Sequence, residues 1–166
     1  MPFQLIDTSL LNQLAARAQD VPRKRQHYNL HADYQEPCQR LLNAVESDSY
    51  IRPHRHHTPP KPECFIALRG RFLAIVFDDT GRIESAFLLG PDQVCRGIDL
   101  APGTWHSIVA LDSGGVFFEA KPGPFEPLED KDFAPWAPVE GSPEAAGYLV
   151  SLRQRAMQVA STQKGE

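Results

Sequence analysis

The 166-residue chain is long enough for one domain with a sizeable core and short for two. Its 42% hydrophobic and 23% charged residues are ordinary for a globular protein, which excludes global disorder. A net charge of −4 gives no electrostatic basis for binding nucleic acid or an anionic membrane, and the short run Arg23-Lys24-Arg25 reads as a solvated turn after Pro22.

At the N-terminus, Asp7 or Thr8 can cap a helix over 9–19, where Leu10, Leu11, Leu14, Ala15 and Ala18 recur at helical spacing. Residues 25–36 are polar, without a clear period. Pro37, suited to a first helical turn, precedes Leu41, Leu42 and Val45, and this predicts a second short helix. From 49 the pattern changes to short apolar runs punctuated by turn residues: strands are predicted at 49–56, 64–68, 72–77, 83–89, 94–100, 105–111 and 116–120. Seven short strands at this rhythm indicate a sandwich or small barrel. The proline-rich stretch 122–143 reads as a surface strap, and Ser142-Pro143-Glu144 opens a C-terminal helix with Leu149, Leu152, Ala156 and Val159 on one face. One domain is expected, with a helical extension at 1–48, a barrel at 49–121, and a strap and helix at 122–166.

Three cysteines without a C-x-x-C pair suit neither a disulfide framework nor a thiolate zinc site. With no leader-like N-terminus and no run able to span a bilayer, the expected location is the cytoplasm.

The chemistry is concentrated in the histidines. Alternate residues of a strand share a face, so His54 and His56 point one way, together with Tyr50 and Arg52. After a proline-rich loop Glu63 opens the next strand, and His106 follows the Pro102-Gly103 turn. Three imidazoles and one carboxylate suit one divalent transition metal, Fe, Zn, Mn, Ni or Co, with coordination positions left for substrate. His57 in place of His56 requires a β-bulge, and both assignments stay open at the sequence level. No organic cofactor site is expected.

The pattern His54-x-His56, then Glu63 with Gly70, resembles the first cupin motif, and Pro102-Gly103-Thr104-Trp105-His106 resembles the second. The run RKRQHYNLHADYQEPCQRLLNAVESDSYIRPHRHHTPPKPECFIALRG, with the later FFEAKPGPF, is similar to the WbuC-type cupin-fold metalloproteins associated with surface-polysaccharide gene clusters. The resemblance implies a mostly β protein: a cupin jelly-roll barrel (double-stranded β-helix) with an N-terminal helical extension and a C-terminal helix, often a homodimer. It also implies a metal-dependent isomerase, epimerase or dioxygenase acting on a small polar molecule such as a sugar or sugar nucleotide. Glu63 and Tyr50 are then the candidates for proton transfer, and Arg52, His31, His57 and Lys121 for substrate contact. The alternatives are a non-catalytic metal-dependent binding module and a metal-free sugar isomerase or epimerase that uses histidine as base.

Overall fold

The computed structural model describes residues 3–125 and 132–162. Two five-stranded antiparallel sheets face each other. One has the order β1-β2-β9-β4-β7, from Arg25–Asn29, Cys38–Val45, Gly115–Pro122, Glu63–Arg69 and Gly97–Leu100. The other has the order β10-β3-β8-β5-β6, from Asp132–Phe133, His54–Arg55, Trp105–Ala110, Phe72–Phe77 and Ile83–Leu89. Helix α1, Thr8–Asp20, covers the outer face of the first sheet, and α2, Ala145–Thr162, covers that of the second. Asp7 is the N-cap of α1, its carboxylate accepting from the Leu10 N–H at 2.9 Å.

Three apolar layers result. Phe65, Ala67 and Phe117 of the first sheet meet Phe72, Ala74, Ile108 and Ala110 of the second in the barrel interior. Leu14 and Ala18 of α1 lie on Leu42, Ala44 and Val116, while Leu149, Leu152 and Ala156 of α2 lie on Leu73, Ile75 and Val109. The central strands are thus covered on both faces, which is why β5, Phe-Leu-Ala-Ile-Val-Phe, shows no apolar–polar alternation.

Double coverage also accounts for the main correction to the sequence reading: the predicted helix after Pro37 is the strand β2. Leu42 and Ala44 face α1, while Gln39, Leu41 and Asn43 face the opposite way, so apolar residues fall on both sides and imitate a helical period. Pairing along its whole length with β9, and with β1 on its other edge, fixes it as a strand. The first sheet therefore begins at Arg25, and among the described residues of the 1–48 segment only α1 is helical.

Of the predicted strand 49–56, only His54–Arg55 joins a ladder. Pro53 has no N–H to donate, although its carbonyl accepts from the Ala134 N–H at 2.9 Å. The predicted strand 94–100 begins at Gly97, with Val94 98% exposed. The strands predicted at 72–77 and 83–89 have those bounds. Part of the predicted strap, 126–131, lies outside the described residues. Among the described residues no helix is long and apolar enough to cross a membrane.

The stretch after β10 is tied to the start of β1 and the turn before it by ion pairs of Glu140 with Arg25 at 2.6 Å and with Arg23 at 2.8 Å. Partial burial pushes the Glu140 carboxyl up, but the two guanidinium groups outweigh it and hold the carboxyl below its usual range. A depressed folded-state pKa contributes stability above the unfolded value of about 4.3, and this is lost as pH falls through the lower, folded value. A Glu140→Gln variant is expected to melt below the wild type at pH 7. The gap should close on acidification below about pH 4 in thermal denaturation followed by circular dichroism.

Candidate metal centre

Four side chains converge inside one end of the barrel. His54 on β3 stands directly opposite His106 on β8 in the ladder. Glu63 is the first residue of β4 and enters from the facing sheet. His56 follows β3, and its carbonyl accepts from the N–H groups of Lys61 and Gly103, at 3.3 and 3.0 Å. That carbonyl therefore ties the 57–60 loop and the Pro102-Gly103 turn to one point. Gly103 has φ +77°, a left-handed conformation that a side chain would strain, and a Cβ there would stand 3.3 Å from the His57 ring.

All four residues are buried, and each offers a ligand atom within 4.8 Å of the others. Glu63 Oε1 lies 3.0 Å from His56 Nε2, and Oε2 lies 2.9 Å from His106 Nε2. The tautomers decide what these short contacts mean. His54 Nδ1 is 3.0 Å from the Arg52 carbonyl and His106 Nδ1 is 2.9 Å from the Thr104 carbonyl. A carbonyl only accepts, so each Nδ1 carries the proton and a neutral ring turns the bare Nε2 inward. For His106 this sets a lone pair against a carboxylate oxygen, and the contact does not meet hydrogen-bond geometry. Two acceptors at 2.9 Å repel unless positive charge lies between them. Atoms bound to one ion at right angles, each about 2.1 Å from it, are about 3 Å apart. The donor set therefore fits a divalent transition metal, and the two carbonyls two residues upstream act as the partners that orient the imidazoles.

Glu63 supplies negative charge. Burial pushes its carboxyl up, and the neighbouring ammonium of Lys121 opposes this by favouring the charged form. Lys121 Nζ is 3.4 Å from Glu63 Oε1 and 3.3 Å from Glu119 Oε1.

Of the other residues singled out in the sequence, Lys121 alone touches the cluster among the described contacts, and the rest fall elsewhere. Tyr50 is not at the centre: its hydroxyl donates to the Pro138 carbonyl at 3.0 Å and its ring packs edge-on against Tyr148 beneath α2. Burial first, then Tyr148, pushes its pKa above the ordinary phenol value, so it is a poor proton donor there. Arg52 is likewise turned away, donating to the Ala134 carbonyl at 2.8 Å with its guanidinium 5.4 Å from the Phe133 ring. The expected common face breaks because 50–53 lies outside any ladder: Ile51 packs toward the barrel interior, so the parity that links Tyr50 and Arg52 to His54 is lost before Pro53. His57 is exposed, bridged to Pro60, while His56 is buried with the other three.

His31 and Lys121 both line a cavity of about 640 Å³ bounded by β1, β2 and β9. Gln39, Asn43 and Tyr34 line it too and were not anticipated. The period-two series Gln39, Leu41, Asn43 is the signal that would have found two of them had β2 been read as a strand.

Solved structures with similar folds share little sequence. CapF in complex with the inhibitor 3-isopropenyl-tropolone superposes with a TM-score of 0.56 at 21% identity, covering 69% of this chain and 32% of that one. The capsular polysaccharide assembling protein CapF from Staphylococcus aureus gives 0.51 at 22%, covering 60% and 27%, and KdgF from Halomonas sp. gives 0.50 at 15%, covering 64% and 85%. This chain thus spans about a third of CapF's length, and at these identities the likeness shows the fold: a cupin jelly roll with a helix at each end. No curated protein matches the chain. A family model does match, over residues 6–89, which include three of the four clustered side chains, and the chain belongs to that family, the domain of unknown function DUF6016.

Proposed function

We propose that the protein is a metal-dependent enzyme acting on a small polar molecule, a sugar or sugar nucleotide used in building surface polysaccharide. The observation that carries this reading is the buried cluster His54, His56, Glu63 and His106, whose facing acceptor atoms call for a cation. A divalent ion bound there would supply Lewis acidity toward a substrate oxygen. Around it the chain's own groups have separable tasks: the Arg52 and Thr104 carbonyls orient the imidazoles, Glu63 balances charge, and Lys121 stands between the centre and the cavity. The polysaccharide context rests on the WbuC-type resemblance, and the solved CapF structure, described as a capsular polysaccharide assembling protein, is of the same kind.

One observation favours a second reading, a non-catalytic metal-dependent binding module. Of the two acid–base candidates, Glu63 is engaged by two histidines and a lysine, and Tyr50 lies in the core beneath α2. Purified protein is expected to carry about one equivalent of transition metal by elemental analysis. It should convert a nucleoside-diphosphate sugar in a reaction followed by NMR and stopped by chelation. Metal without turnover across a panel of such sugars would favour the binding module. No metal, even after reconstitution with Fe(II), Mn(II), Ni(II), Co(II) and Zn(II), would overturn both readings.

A further inference from the structure

The cavity beside the centre is built largely by the N-terminal strands. Its floor is the inner face of β1, β2 and β9, on which Asn29 stands opposite Leu41, Leu41 opposite Glu119, and Gln39 opposite Lys121. Its rim carries Tyr34, from the β1–β2 connection, and Phe125, with ring centroids 5.1 Å apart. At about 640 Å³ it lies within the range of small-molecule sites.

Its polar groups form a connected line to the metal cluster. Asn43 Nδ2 donates to Glu119 Oε2 at 2.8 Å, Glu119 Oε1 is 3.3 Å from Lys121 Nζ, and Lys121 is 3.4 Å from Glu63. Glu119 and Lys121 are buried, so these charges act with little screening. His31, also buried, adds an imidazole. Its Nδ1 is held by main-chain groups of Arg40, 3.0 Å from the N–H and 2.9 Å from the carbonyl, while Nε2 has no partner among the described residues. Amides, a carboxylate and an imidazole together with aromatic rings are the means by which proteins bind a sugar: hydroxyls pair with the polar groups and the C–H face lies on a ring.

Charge narrows the class. Glu63 and Glu119 against Lys121 leave one negative charge at the inner end, and a divalent ion in the cluster turns this into one positive charge. At the outer end, Arg23 and Arg25 against Glu140 also leave one positive charge. We propose that this cavity is the substrate site of the metal centre and takes a sugar bearing one acidic group, its ring against Tyr34 and Phe125 and its acid toward Lys121. The proposal rests on the metal-dependent reading above and adds to it a ligand class, a location and a dependence of ligand binding on metal.

Titration calorimetry with D-glucuronate and D-glucose tests it, each on metal-loaded and metal-free protein. Loaded protein should bind glucuronate at least about tenfold more tightly than glucose, and metal removal should weaken glucuronate by about tenfold or more. Leu41→Trp, which fills the cavity floor, should abolish glucuronate binding with metal content unchanged by elemental analysis. Tyr34→Ala, on a residue 48% exposed in a connection and thus harmless to folding, should weaken it about tenfold. Equal affinity for the two sugars, no binding of either by loaded protein, or glucuronate binding undiminished in both variants overturns this proposal and leaves the metal centre standing. Failure to take up metal overturns the metal-dependent reading itself.

Discussion

Alanine at His54 or at His106 is expected to reduce bound metal from about one equivalent to near zero after dialysis, with at least a hundredfold loss of affinity. Either change removes one imidazole, and His106→Ala also exposes Glu63 Oε2, which now lies 2.9 Å from a ring nitrogen. The same variants should lose the thermal stabilisation that metal confers on the wild type. A ligand at a thousand times its Kd adds about 4 kcal/mol, which for a chain of this size raises the melting temperature by on the order of 10 °C. Scanning calorimetry with and without added metal reads this directly. Glu63→Gln keeps the shape but removes the charge, so metal should be weakened further than a neighbouring polar change would explain. His57→Ala, at an exposed position beside the cluster, should leave metal content intact. Metal retained in His54→Ala and His106→Ala, or lost in His57→Ala, would place the ion elsewhere.

The contrast between His56 and His57 shows what sequence could and could not reveal. The ligand types are local: a histidine pair at strand spacing, an acid after a short loop and a histidine after a Pro-Gly turn are visible without coordinates, and the structure brings those four residues together. The choice between His56 and His57 depended on whether strand parity held beyond His54. It does not hold upstream, where Tyr50 and Arg52 turn outward, but it does between His54 and His56. The helix inferred after Pro37 failed for another physical reason. Burial on both faces of β2 erased the alternation that identifies a strand, and only pairing with β9, some seventy residues away in sequence, decides its state. The cavity was hidden for the same reason. Its floor exists only when β1, β2 and β9 are in register, and no local pattern encodes that register. Nor do side-chain types disclose the tautomers, which are set by main-chain carbonyls two residues before His54 and His106.

Truncating Phe72 to alanine should cost about 3–5 kcal/mol of stability and lower the melting temperature by on the order of 10 °C, yet leave the metal site of the folded protein unchanged. Phe72 is fully buried in the barrel interior, edge-on to Phe117 at 5.4 Å. The backbone of Gly115 lies so close that a Cβ there would stand 2.8 Å from the ring. Tight enclosure leaves little room for collapse into the void, which places the loss toward the upper part of the range. The cluster of His54, His56, Glu63 and His106 lies further along the barrel. Along β5, Phe72 pairs with Ala110 and Val76 with His106, a displacement of four residues or about 13 Å. Phe65 lies between, 5.4 Å from Phe117 and 5.9 Å from the His106 ring. A Phe65→Ala variant should therefore lose comparable stability and also bind metal more weakly, because the ring that backs His106 is gone. Denaturant melts of the metal-free proteins, set beside metal titrations of the folded ones, separate the two effects. If Phe72→Ala impairs metal binding as much as Phe65→Ala does, the barrel interior responds as one unit, and the centre depends on packing well beyond the residues that touch it.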